Sequence, residues 1–189
     1  MAHAEYQLTL PARTDTDDDP AVAAVLAKAM AQVGRIPNVY ARMANVPGLL
    51  ETYLTGYGAF RQDSGFTPAE QEIVLLAISR ANGCTYCVAV HSAVADMANV
   101  PIEVTDALRA GDPLPDARLD ALATFTATMV DKRGLPSRAD VDAFLAAGFE
   151  ERDILQVVLA IAVKTLSNYA NHLFHTPVDP VFAHRAWEG

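Results

Sequence analysis

Cysteine is scarce in this chain: two residues in 189, standing two apart at Cys84 and Cys87. A loop closed over two intervening residues restricts the unfolded chain little, so a disulfide framework does not hold this fold together. Long apolar runs are missing as well. Stretches such as VVLAIAV (157–163) fall far short of the roughly 18 to 20 residues that span a bilayer, so no membrane helix is expected, and no membrane is an expected partner. Positive charge is in deficit, with 14 Lys and Arg against 23 Asp and Glu and a formal net charge of -9. The basic residues are scattered rather than gathered into a stripe, so nucleic acid is not an expected partner. The N-terminal MAHAEYQLTL lacks the basic segment, apolar core and small-residue cleavage site of an export signal, and a cytoplasmic location is expected.

What is present is apolar and helical. A hydrophobic content of 51% in 189 residues supplies one core, and residues 1–189 read as a single domain with an extended arm and an acidic loop, TDTDDD, over 1–19. Asp19-Pro20 opens a first helix that Gly34 closes. Shorter helices are expected near PNVYARMANV and PGLLETYLTGYGAFRQ. Thr67-Pro68-Ala69-Glu70 forms a capping box, with Thr67 as cap and Glu70 at the third position, and the helix it starts should end at Asn82-Gly83. Helices follow over CTYCVAVHSAVADMA, PIEVTDALRAG, PDARLDALATFTATMVDKRG and SRADVDAFLAAG, and a long one over EERDILQVVLAIAVKTLSNYANHLFH. The β-branched TFTATMV (124–130) has flanks that favour helix, and YQLTL (6–10) is the remaining strand candidate. The expected fold class is all-α, with about eight to ten helices.

Residues 72–91 align with 156–175 at an offset of 84, pairing Val74 with Val158, Leu75 with Leu159 and His91 with His175. This reads either as a degenerate internal helical repeat or as chance matching between two helices rich in Ala and Val. In that alignment Cys84 and Cys87 face Asn168 and Asn171.

A cytosolic Cys pair calls for a chemical explanation, either redox or metal. If Gly83 breaks the chain, Cys84 lies at the mouth of a new helix and Cys87 in its first turn, where unpaired amides favour a thiolate. His91 follows Cys87 by four residues, one turn along the same face. Glu72 precedes Gly83 by 11 residues and His91 follows it by eight, so at about 1.5 Å per residue a helical hairpin brings the two to within about one turn of each other. A carboxylate, an imidazole and two thiols would then line one pocket.

Glu72, the Cys84-Thr85-Tyr86-Cys87 pair and His91, at these spacings, resemble the AhpD-like alkylhydroperoxidases of the carboxymuconolactone decarboxylase superfamily. IPNVYARMANVPGLL and NYANHLFHTPVD resemble its uncharacterised peroxidase-related branch, so the likeness covers most of residues 35–180. It implies an all-helical protein assembling as a homotrimer or homohexamer. It also implies a hydroperoxide substrate, an external dithiol reductant of lipoamide-like or other type, and no metal or organic cofactor. Carried over by position, Cys87 becomes the peroxidatic thiol, Cys84 the resolving thiol, and His91 with Glu72 the proton relay. The helix-end argument taken alone favours Cys84 as the more acidic thiol. One departure stands out. Studied members carry a histidine directly before the second cysteine, where this chain has Tyr86, and a phenol titrating near pH 10 does not replace imidazole as a proton carrier. Superfamily members that decarboxylate lactones lack the cysteine pair, so the thiols argue against that chemistry.

Three other readings compete. The pair could cycle as a redox sensor or structural element without turnover. His172 and His175 could join Cys84 and Cys87 in a two-Cys, two-His zinc site. Both cysteines could be small buried residues only. Tyr40, Tyr53, Tyr57 and Phe60 are expected in the core or at a subunit interface, and Glu70 is explained by its cap.

Overall fold

The computed structural model describes residues 4–189. Its described residues form nine α-helices: α1 (Pro20–Val33), α2 (Asn38–Met43), α3 (Pro47–Asp63), α4 (Pro68–Ala81), α5 (Thr85–Met97), α6 (Ile102–Ala110), α7 (Ala117–Asp131), α8 (Arg138–Ala146) and α9 (Glu151–Phe174). A 3-10 helix, Pro180–Arg185, follows them. No described residue is in a strand, and no described helix is long and apolar enough to cross a membrane. The all-α expectation holds.

The boundaries follow local chemistry. Asp19 caps α1 by accepting from the Ala21 amide, and Gly34 closes it in the left-handed conformation at φ 73°. Both halves of the Thr67/Glu70 capping box form, the Glu70 amide reaching the Thr67 hydroxyl at 3.2 Å and the Thr67 amide reaching Glu70 Oε2 at 2.9 Å. Such a cap stabilises a helix start by about 0.5–2 kcal/mol. TFTATMV is helical inside α7, because Leu122, Phe125 and Met129 fall on one face and are buried there, with Phe125 stacked on Phe144 at 4.2 Å. Strand propensity yields to that packing. YQLTL is not a strand either. Its Leu8 amide donates to the Leu173 carbonyl at 2.8 Å, laying the arm beside the end of α9.

Helix α4 runs through the middle, buried continuously from Glu70 to Ser79, and packs on α5, α7 and α9. One apolar cluster joins it to α7 and the Phe125, Phe144 and Phe149 stack. A second cluster joins α1, α2 and α3 to the cysteine segment and the C-terminal half of α9. The site lies where the second cluster meets α4. Helix α9 comes close to α3 because Gly56 has no side chain, and a Cβ there would stand 2.8 Å from Val163 Cγ2. The suggested repeat does not extend to the backbone. Residues 72–91 fold as two helices around a turn, whereas 156–174 lie within one continuous helix.

Candidate active site

The turn that makes the site is short. Gly83 takes a left-handed φ of 65°, its amide donates to the Arg80 carbonyl at 2.8 Å, and the Cys84 amide donates to the Ser79 carbonyl at 2.9 Å. Cys84 is the N-cap of α5 and Cys87 its third residue, as the sequence predicts. The two thiols are unbonded, buried, and 3.1 Å apart. Folding α5 back along α4 brings His91 Nδ1 to 2.9 Å from Glu72 Oε2.

Electrostatics then assign forms to these groups. Burial pushes Glu72 up, but the His91 hydrogen bond and the Arg61 guanidinium outweigh it and hold the carboxyl below the usual carboxylate range. Burial, followed by the charge of Lys164, keeps the His91 imidazole below its ordinary range despite Glu72. A neutral imidazole beside a carboxylate must donate from Nδ1, which leaves Nε2 as the acceptor lone pair. Burial also opposes ionisation of Cys87. The Cys84 hydrogen bond, the charge of Lys164, the His91 imidazole and the Asn171 amide together prevail and hold this thiol well below the usual range. Burial and the donation to Cys87 push Cys84 well up. The helix-end argument favouring Cys84 is therefore outweighed, because Cys84 gives its proton to the hydrogen bond that stabilises its neighbour.

Cys87 and His91 open onto a cavity of about 170 Å³. Tyr40, Tyr53, Tyr57 and Tyr86 supply its aromatic wall, Val39, Val90 and Phe182 its aliphatic and phenyl parts, and Lys164 and Arg35 its cations. Tyr40, Tyr53 and Tyr57 are buried or nearly so, as expected, yet they face this cavity and not only the core. Tyr53 stacks on Tyr57 and meets Tyr40 edge-on, each pair at 5.5 Å between centroids. Phe60 is wholly buried in the core.

Tyr86 is engaged by a carboxylate from the C-terminal segment. Its hydroxyl donates to Asp179 Oδ2 at 2.5 Å, while Asp179 Oδ1 accepts from the Asn38 amide at 3.1 Å. Burial and that carboxylate push the phenol up, and the pair ties α5 to the C-terminal segment that carries Phe182. The zinc set does not assemble. Among the described residues no three His, Cys, Asp or Glu side chains converge to hold a metal, and His175 caps α9 with Nε2 at 2.8 Å from the Ala4 carbonyl.

Three contributors were not singled out from sequence. Arg61 pairs with Glu72 and donates to the Tyr57 hydroxyl at 2.6 Å, and its signal was faint: an i, i+4 Tyr–Arg spacing on α3. Asn171 donates to Cys87 Sγ at 3.2 Å and approaches Cys84 Sγ at 3.9 Å. The offset alignment had set this residue opposite Cys87, and the two meet in space. Lys164 directly follows the apolar VVLAIAV run, which is the available hint.

This arrangement defines a class: an all-helical protein whose central helical hairpin presents a dithiol, an imidazole and a carboxylate to one cavity. Residues 47–117 match the carboxymuconolactone decarboxylase family model, a span that contains the whole hairpin. The fold is that of the AhpD-like proteins of this superfamily. A peroxidase-related protein from Ralstonia eutropha JMP134 with an AhpD core superimposes with a TM-score of 0.78 at 22% identity, over 92% of this chain and 93% of that one. A peroxidase-related protein from Silicibacter sp. TM1040 gives 0.76 at 21%, over 96% of each chain. The debrominase Bmp8 gives 0.75 at 16%, over 94% of this chain and 96% of its own, and a cysteine-to-alanine variant of it was solved with 2,3,4-tribromopyrrole. No curated protein matches this chain in sequence.

Proposed function

We propose that this protein is a thiol-dependent peroxidase in which Cys87 attacks a hydroperoxide and Cys84 resolves the product. The observation that carries this reading is the asymmetry of the pair: one thiol held toward its anion beside a cavity, the other held protonated 3.1 Å away. The Cys87 thiolate attacks the distal peroxide oxygen, the O–O bond breaks, and the alkoxide leaves with a proton from solvent, giving sulfenic acid and alcohol. The Cys84 thiol then condenses with the sulfenic acid, a proton passing to the departing hydroxide as water, and the disulfide forms. An external dithiol returns the pair to the reduced state. Glu72 holds His91 with Nδ1 protonated, so that Nε2 takes the Cys84 proton and gives it up.

Steady-state peroxide consumption in the presence of dihydrolipoamide tests the reading. Sustained turnover lost in both Cys87→Ser and Cys84→Ser is expected. One stoichiometric oxidation followed by arrest would identify a redox sensor instead.

The tyrosine wall favours a second reading, reductive dehalogenation of a small aromatic ring, the kind of substrate that the debrominase Bmp8 variant was solved with. In that reaction the ring carbon gains a proton and loses halide, and the two thiols lose two electrons and join as a disulfide. Halide release from a bromopyrrole or bromophenol, matched in amount to disulfide formed, distinguishes it from peroxide reduction.

A further inference from the structure

The proton relay leaves one buried charge unexplained. Lys164 is 1% exposed, sits in the most apolar part of α9, and lines the cavity that Cys87 and His91 open onto. An ammonium in such a place is strongly disfavoured unless an anion meets it. Among the described residues no carboxylate stands within ion-pair distance of it, and none lines the cavity wall. The buried carboxylate nearest the site, Glu72 on α4, is already engaged by Arg61 from α3 and by His91 from α5. Asp179 is engaged by Tyr86 and the Asn38 amide.

The remaining titratable neighbours supply no anion. Burial pushes Tyr40 of α2 and Tyr53 and Tyr57 of α3 away from ionisation, and His91 is neutral. Arg35 is a cation itself, lying over the Phe182 ring at 4.4 Å. What is left is sulfur on α5.

We propose that Lys164 is the counter-cation of the Cys87 thiolate. This rests on the assignment of Cys87 as the attacking thiol and adds the group that makes its anion tenable without water. The charge of Lys164 acts on both thiols, but Cys84 donates its proton to Cys87, so the negative charge settles on Cys87. Asn171, about two turns further along α9, donates its amide to the same sulfur at 3.2 Å. Helix α9 therefore supplies both the charge and the hydrogen bond. A consequence follows for the oxidised state. The disulfide carries no charge, so the ammonium loses its anion and the cavity then favours an anionic entrant, such as the thiolate of the incoming reductant.

The test reads thiol ionisation directly. Fully reduced parent, Lys164→Met and Lys164→Arg are alkylated with iodoacetamide across a pH series, and the modified cysteine is mapped by mass spectrometry. The midpoint for Cys87 should rise by roughly one to three pH units in Lys164→Met, the range for loss of a nearby opposite charge, and return most of the way in Lys164→Arg. A folded Lys164→Met protein with an unmoved midpoint overturns the pairing. Should the methionine variant not fold, Cys87→Ser provides the reciprocal measurement. There the ammonium has lost its anion, so acylation of Lys164 by acetic anhydride near neutral pH should increase at least about tenfold over the reduced parent. Equal labelling overturns the proposal. Neither readout uses peroxide, so a protein that shows both shifts without turning over peroxide keeps the pairing and loses the peroxidase reading alone.

Discussion

Glu72 is the residue on which the local arrangement depends. It is 1% exposed and ionised, which is tolerable because Arg61 and His91 each take one of its oxygens. Glu72→Gln keeps its shape and removes the charge that orients the imidazole, so turnover should fall by roughly 10²-fold. Glu70, two residues earlier, is the control. Glutamine preserves the capping box, but Glu70 also pairs with Arg118 at 3.1 Å, a contact the sequence did not reveal. That partner is nearly half exposed, so its loss is worth at most about 1 kcal/mol, and Glu70→Gln should turn over peroxide like the parent. Arg61→Met is the harsher change. It leaves a buried carboxylate with one partner and should remove about 3 kcal/mol, at the low end for breaking a buried pair because Arg61 is partly solvated.

The same residues set the response to pH. Glu72, His91 and Cys87 all have folded-state pKa values below their ordinary ones. For each, the unfolded chain binds more protons over the interval between the two values, so stability rises with pH there. The Cys87 contribution is complete above the ordinary thiol range and the Glu72 contribution above the ordinary carboxylate range, and each is lost as pH falls through the folded value. His91 must charge on unfolding below its ordinary range near pH 6.5, which also weakens the fold on acidification. Thermal unfolding of the reduced protein should therefore show a melting temperature that falls steadily from about pH 8 to about pH 3. Glu72→Gln should flatten the acidic end of that curve, and an unchanged slope would remove Glu72 from the account.

At the scale of elements, the α4–α5 hairpin is the unit that carries the chemistry, and its turn is where a single methyl should matter. Gly83 sits at φ 65°, a conformation that disfavours a side chain by about 1–2 kcal/mol. Gly83→Ala should lower stability by that amount in denaturant titration and should also loosen the placement of Cys84, slowing disulfide formation after peroxide addition. Much of this hairpin was legible in the sequence. The cap at Thr67, the stop at Asn82-Gly83, the positions of both cysteines in α5 and the meeting of Glu72 with His91 all follow from short-range rules with a period of 3.6 residues. What was not legible came from elsewhere in the chain. Arg61, Asn171 and Lys164 reach the site from α3 and α9, and nothing local to them says which side of those helices faces the hairpin. The tyrosines illustrate the same limit, since periodicity marks Tyr53 and Tyr57 as inward without telling core from cavity.

At the scale of the whole molecule, the outer face of α9 stands without a partner among the described residues. Leu155, Val158, Tyr169 and Leu173 are exposed along it at spacings of three, eleven and four residues, close to whole turns, so they form one stripe on the longest helix. Val46 and Leu10 extend it across a neighbouring apolar groove of about 280 Å³ lined by Leu49, Leu166 and Phe174. An exposed apolar stripe of this length is unfavourable for a protein that stays a monomer. Association of identical chains through this face is the expected outcome, and light scattering should report a species larger than the single chain. Tyr169→Glu places a charge near the middle of the stripe on a residue 55% exposed in the single chain, so the fold should tolerate it while the assembly should not. The variant is expected to keep the helical circular dichroism of the parent and to scatter as a smaller species. Asn168 and Asn171 occupy the opposite face of the same helix, where Asn168 accepts from the Asn82 amide at 2.8 Å and Asn171 holds the cysteines. Loss of assembly should accordingly loosen the wall behind Cys87, seen as a slower return of the disulfide to dithiol. A Tyr169→Glu protein with the mass of the parent assembly would move the interface off α9.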